Sequence, residues 1–211
     1  VKVARERGAS VLVITGSESP ITKYADVALI AETPEDTNFF TPTTSRLAAL
    51  VMIDQQKMTI KAARDRALLL VGFASAMRRS ELVAVRVEHL TYLNNGVEIF
   101  LPSSKTDQEG HGRTVFIPHA NGERCPVRAL MHWLEISEVD EGFVFRAVSR
   151  HDRVARHGLS AQSVALIVKA SVERVGGDAK KVSGHSLRAG YCTSAAEKGL
   201  QPWQIREQTG H

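Results

Sequence analysis

Four short motifs carry the residues of this chain best suited to phosphate chemistry. In order they are Ala76-Met77-Arg78-Arg79-Ser80-Glu81-Leu82, Ser104-Lys105-Thr106, Gly184-His185-Ser186-Leu187-Arg188 and Thr209-Gly210-His211. Breaking a phosphodiester requires a nucleophile at phosphorus, stabilisation of charge on the non-bridging oxygens, a proton for the leaving oxygen and a grip on the rest of the substrate. Arginine suits the second task, because its planar fork donates two hydrogen bonds to one phosphate and never loses its charge. Lysine on a loop can protonate a leaving alkoxide. Histidine can donate to phosphate or take a proton near neutral pH. Arg78 and Arg188 are therefore candidate phosphate clamps, Lys105 a candidate acid, and His185 and His211 candidate hydrogen-bonding or proton-transfer groups. Glu81 stands three residues after Arg78, one turn on, where it could orient an arginine or a histidine.

The elements that must position these residues are legible from hydrophobic periodicity. Ala62–Ala76 reads as a strongly apolar helix, and a second helix starts at Ser80, which puts Arg78 at their junction. Asn94-Asn95-Gly96 is a hairpin turn. It leads into the alternating strand Val97–Leu101, and Thr114–Ile117 forms a second strand across the polar segment 103–112. Lys105 sits at the end of that first strand. From Cys125 onward the chain reads as mostly helical: Pro126–Ile136, Ser160–Val175, His185–Lys198 and Pro202–Gln208. Pro126 and Pro202 occupy first-turn positions. His185 and Arg188 share one helix face near an N-terminus that favours anions. Trp133 and Trp203 fit core helix faces. The stretch containing Arg146, Arg150, Arg153 and Arg156 reads as a basic loop, equally consistent with contact to DNA phosphates and with a solvated surface.

The first part of the chain is different. Val11–Thr15 and Val27–Ala31 are continuous apolar runs of the kind found in buried parallel strands, and Thr43–Gln56 has helical spacing. Charge divides along the same line. Residues 1–57 carry a net −1 and residues 58–211 a net +5, giving the overall +4, so the basic excess accompanies the four motifs. Apolar content of 43% and charged content of 24% belong to an ordinary globular chain. No apolar run reaches membrane-spanning length, and the start Val1-Lys2-Val3-Ala4-Arg5 is not a signal peptide. A first residue of Val implies a start inside a longer reading frame. Cys125 and Cys192 lack paired spacing, which argues against a disulfide framework or a zinc site and places the chain in a reducing cytoplasm. The remaining histidines, His89, His111, His119, His132, His151 and His157, have no ligand spacing and read as surface residues.

Taken together in order, the motifs from about Ala62 to His211 resemble the catalytic domain of tyrosine recombinases, the phage-integrase family. That family's pattern is Arg in a G-L-R-x-S-E-L-like motif, Lys in a β-hairpin, H-x-x-R, then L-G-H, then Tyr. Arg78, Glu81, Lys105, His185, Arg188 and His211 fall on it. The resemblance implies a mainly α domain with a small antiparallel sheet, double-stranded DNA as partner, further protomers assembled on that DNA, and no metal or nucleotide cofactor. It also implies cleavage and rejoining through a 3′-phosphotyrosyl intermediate. The nucleophile would fall within about ten residues after His211, two to three helical turns. The chain's tyrosines are Tyr24, Tyr92 and Tyr191, so the sequence as written is expected not to cleave DNA.

Residues 1–57 resemble the C-terminal end of a sugar isomerase (SIS) domain of the RpiR-type transcription regulators. The resembling residues run through Ala4–Thr15, Ser19-Pro20, Ala25–Leu29 and Thr44–Ala48. The resemblance implies an α/β parallel-sheet fragment and sugar phosphate as a ligand of the parent domain, although the Ser/Thr-rich loops that hold it are absent. The expected organisation is thus an SIS-like fragment at 1–57 followed by a recombinase catalytic domain at 58–211. The alternatives are a sugar-phosphate-responsive regulator fragment and a non-functional chimera.

Overall fold

The computed structural model describes residues 12–15, 27–30, 59–102, 111–174 and 177–210 of the 211. The chain divides into two compact units, Val1–Asn38 and Phe39–His211. In the first, β1 (Leu12–Thr15) and β2 (Val27–Ile30) pair in parallel with Leu12 opposite Val27 and Thr15 opposite Ile30. Parallel pairing is what two uninterrupted apolar runs imply. The expected helix at Thr43–Gln56 lies outside the described residues.

The second unit is organised around α1 (Ile60–Ser75), whose first turn is capped by Thr59 Oγ1 accepting from the Ala62 amide at 3.1 Å. Leu68, Leu69, Leu70 and Val71 are consecutive and all buried, so this stretch of the helix has no solvent stripe. A helix apolar all round must be covered on all sides. It packs against α3 (Pro126–Ser137) and α5 (Ser186–Glu197) and touches strands β5 (Arg113–Pro118) and β6 (Arg146–Val148). Gly72 permits a close approach: a Cβ there would stand 2.9 Å from Leu187 on α5 and 2.9 Å from Leu82. The buried Arg64–Asp65 pair fastens the same helix to β6, with Arg64 Nη1 donating to the Arg146 carbonyl at 3.0 Å.

Helix α2 (Arg79–Ala84) follows and packs on α4 (Ala161–Arg174). The sheet β3 (Leu90–Leu93), β4 (Gly96–Leu101), β5 is antiparallel throughout. Val97 pairs with Ile117 and Ile99 with Val115, all buried, while Phe100 and Thr114 face outward. The alternation read from sequence is that inward face. At the open end Leu101 pairs with Arg113. Helix α3 starts at Pro126, with Cys125 Sγ accepting from the Arg128 amide at 3.5 Å, and the fully buried Trp133 donates to the Val144 carbonyl at 2.8 Å. Helix α6 (Pro202–Thr209) packs on α5.

Two expectations need correction. The basic stretch from Arg146 is a β-hairpin, β6 paired antiparallel with β7 (Val154–Gly158), rather than a loop. Its turn is closed by Ser149, whose Oγ accepts from the His151 and Arg153 amides, and by Asp152 in the left-handed region at φ 54°. Trp203 is 64% exposed, because α6 turns Ile205 and Thr209 inward and presents its second position to solvent. Cys125 is fully buried, since its sulfur lies beneath the start of α3 and accepts from two amides. No helix among the described residues is long and apolar enough to cross a membrane.

Candidate functional site

The site forms where α1 ends, α2 begins and the ends of β5, α5 and α6 converge. Helix α1 stops at Ala76, which adopts the left-handed conformation at φ 51° and returns its amide to the Phe73 carbonyl at 3.2 Å. The chain restarts as a helix at once, with Arg78 as N-cap of α2 in an extended conformation. Glu81, at the third helical position, accepts from the Arg78 amide at 2.9 Å with Oε2 and from Arg78 Nη1 at 2.7 Å with Oε1. The carboxylate thus caps the helix and orients the arginine together, the charge-assisted form of a capping box.

Arg188 lies on α5 and is only 8% exposed. Its Nη1 donates to the Ala76 carbonyl at 2.7 Å and to the Thr209 carbonyl at 2.8 Å. One guanidinium nitrogen therefore fastens the end of α1 to the end of α6. Helix α6 finishes with Gly210 in the left-handed region at φ 65° and Gln208 bonded to the Ala74 and Phe116 carbonyls. His185 is the N-cap of α5, just outside the helix, and is exposed, with Arg188 three residues in.

A residue that carries no motif completes the cluster. Arg113, at the head of β5, donates through Nη2 to Glu81 Oε2 at 3.3 Å and through Nη1 to the Gln208 carbonyl at 3.1 Å. Its only sequence signal is a basic residue heading an alternating strand, which ordinarily marks a solvated edge. Lys105 and His211 lie outside the described residues. The backbone on either side of the segment carrying Lys105, Leu101 and Arg113, is paired, and the backbone leading into His211 is the Thr209–Gly210 turn held by Arg188.

The electrostatics are unbalanced. Burial works to raise the Glu81 carboxyl, but the hydrogen bonds from Arg78 and the charges of Arg113 and Arg78 hold it below its ordinary value. Glu81 is therefore ionised, 5% exposed, and shared between two arginines. Burial pushes the Arg188 guanidinium down, and the neighbouring charges of Arg78 and Arg113 act in the same direction against the attraction of Glu81. Three guanidiniums thus face one carboxylate, and an arginine cannot shed its proton to relieve this. Such a cluster is set to receive an anion, with donors already fixed in place. Tyr191, one turn beyond Arg188, is buried edge-on against Phe73 with ring centroids 6.3 Å apart, and burial pushes its phenol up; it is a core residue. Among the described residues no group of three His, Cys, Asp or Glu side chains could hold a metal ion.

Residues 43–211 match the model of the phage integrase family. The chain belongs to that family. It is 44% identical over 161 residues to an integrase/recombinase described as a XerD homologue from Selenomonas ruminantium, a match covering 76% of this chain and 47% of the relative. The chain therefore spans about half the length of that relative. In three dimensions it resembles the XerH site-specific recombinase bound to difH substrate in a pre-cleavage complex, with a TM-score of 0.60 and 18% identity over 89% of this chain and 50% of that one. At that identity the likeness is one of fold. A shorter match, 40% identical over 53 residues, 25% of this chain and 18% of the relative, is to the HTH-type transcriptional regulator HexR of Escherichia coli strain K12.

Proposed function

We propose that this chain supplies the phosphate-activating half of a DNA strand-cleaving and rejoining site. The observation that carries the reading is the convergence of Arg78 and Arg113 on the single carboxylate of Glu81 with the charge of Arg188 beside them, an excess of fixed positive charge at the meeting point of three helix ends. A phosphodiester of duplex DNA is the anion. Arg78 and Arg188 stabilise its non-bridging oxygens, Lys105 protonates the departing 5′-oxygen, and His185 and His211 assist by hydrogen bonding or proton transfer. The attacking group is a tyrosine: its oxygen bonds to phosphorus, the P–O5′ bond breaks, and the 3′-phosphotyrosyl ester keeps the bond energy for rejoining. Tyr191 is buried in the core; a tyrosine within about ten residues after His211 would complete the set. The XerH recombinase similar in fold to this chain is bound to its difH substrate, which supports DNA as a partner; further protomers assembled on that DNA are part of the same proposal.

The test is to express the protein with whatever coding sequence follows His211 at its locus and to assay denaturation-resistant retention of labelled DNA from that locus. Retention that Arg78→Ala and Arg188→Ala remove supports the proposal. Its absence with a tyrosine in place opposes it.

For residues 1–57 a second reading has its own support, the HexR similarity and the parallel β1–β2 pair: an SIS-like fragment of a regulator. Saturable sugar-phosphate binding that survives high salt would favour it, whereas salt-sensitive duplex binding belongs to the recombinase reading.

A further inference from the structure

We propose that Arg113 is a positioning residue of this phosphate site, holding Glu81, and through it Arg78, while tying the base of the β4–β5 hairpin to the backbone that leads into His211. The proposal deepens the phosphate-site reading and rests on it.

The geometry is that of a three-way staple. Arg113 is the first residue of β5 and pairs with Leu101, so it closes the base of the hairpin whose connecting segment carries Lys105. One of its terminal nitrogens reaches the Glu81 carboxylate and the other the Gln208 carbonyl, so two elements far apart in sequence are referred to one guanidinium. Its Nε is buried and has no hydrogen-bond partner among the described residues, a cost that an ordinary surface arginine avoids by turning to water. The fit beneath α6 is tight: a Cβ on Gly210 would stand 2.7 Å from Arg113 Nε and 2.8 Å from its Cζ. Glycine is thus required there twice, for its φ of 65° and for the space that Arg113 fills.

The consequence is mechanical coupling. Glu81 grips Arg78 with both oxygens, and Arg113 pulls on one of them, Oε2, which also accepts the Arg78 amide. Without Arg113, Arg78 is the one cation among the described residues left within hydrogen-bond range of the carboxylate, and Oε2 keeps only the Arg78 amide. A lysine could keep the charge against Glu81 but could not bridge Glu81 and the Gln208 carbonyl in one plane.

The experiment follows the side-chain Nε–H NMR signals of Arg78 and Arg188 in the 211-residue chain during titration with sulfate against chloride at constant ionic strength. Sulfate is tetrahedral like the phosphodiester and keeps its charge while carboxylates titrate. In the wild type both signals shift saturably. Arg113→Met weakens that binding by about tenfold, comparable to removing one charge-assisted hydrogen bond. It also moves the acid limb of binding to higher pH, because Glu81, faced only by Arg78 and the more distant Arg188, protonates more easily. Arg113→Lys recovers most of the acid limb, which depends on charge beside Glu81, but only part of the affinity, which depends on the bridge to Gln208. If the Met variant does not fold, Arg113→Gln carries the same expectations. An Arg113→Met or Arg113→Gln protein with wild-type affinity and acid limb overturns the proposal. The control is Arg78→Ala. If it abolishes binding while the Arg113 variants do not change it, the phosphate site stands and the role of Arg113 falls; if the wild type shows no saturable shift, the phosphate-site reading itself fails.

Discussion

Arg188 and Ala76 lie 112 positions apart and are joined by a 2.7 Å hydrogen bond from the guanidinium to the main-chain carbonyl. The bond exists because Ala76 is left-handed at φ 51°, which ends α1 and turns the backbone toward α5. In the integrase pattern this position is the glycine of G-L-R, the residue that takes a positive φ without cost. Alanine here accepts the strain, roughly 1–2 kcal/mol for an L-residue, at the point where Arg78 and Arg188 are brought to one place.

Ala76→Val should therefore be severe. The position is fully buried, and a β-branched residue at positive φ is strongly disfavoured. Strain and overpacking together should cost about 3 kcal/mol, read as a lower midpoint in urea with an unchanged slope. A destabilisation below roughly 0.5 kcal/mol, the range of an uninvolved surface site, would contradict this account of the helix end.

Glu81 links the site to pH. Its folded pKa is depressed, so its stabilising contribution is complete above the unfolded value of 4.5 and drains away as pH falls through the folded value. Glu81→Gln removes the titration and leaves Arg78 and Arg113 without their counter-charge. The variant should lose about 2–3 kcal/mol at neutral pH but show a flatter stability curve in acid. Urea midpoints measured between neutral pH and the acid limb decide it; two parallel curves would mean that the carboxylate is not ionised and paired in the native state.

Gly210→Ala tests the junction that leads into His211. The left-handed backbone costs an alanine roughly 1 kcal/mol, and the new Cβ collides with Arg113. The two effects separate in a double-mutant cycle: with Arg113→Ala in place, Gly210→Ala should cost only the backbone strain. Strict additivity of the two changes would show that the side chain and the turn do not press on one another.

The scaffold of the second unit is open to sequence reading because its signals are local. The unbroken Leu68–Val71 run specifies a helix covered on every side, the alternation in Val97–Leu101 specifies one inward face, and Pro126 and Pro202 mark helix starts. Arg78, Glu81 and Arg188 are legible through motif spacing. Arg113 is not, since its importance arises only when residues 81, 113 and 208 meet in space. The β6–β7 hairpin is hidden by its arginines, which obscure any alternation, and by a turn that rests on Ser149 and Asp152 rather than on glycine. Trp203 misleads because a tryptophan after a helix-starting proline reads as an anchor, whereas the short helix turns a different face inward.

The central claim, that the arginine cluster receives a DNA phosphate, is tested most directly by the salt dependence of binding to a fluorescently labelled duplex. Removing one phosphate-binding cation lowers the slope of log affinity against log salt by about 0.9. The account predicts salt-sensitive binding by the wild type and a slope about one unit shallower for Arg78→Ala, with the fold intact. Salt-insensitive binding, or a slope that Arg78→Ala leaves unchanged, would contradict it.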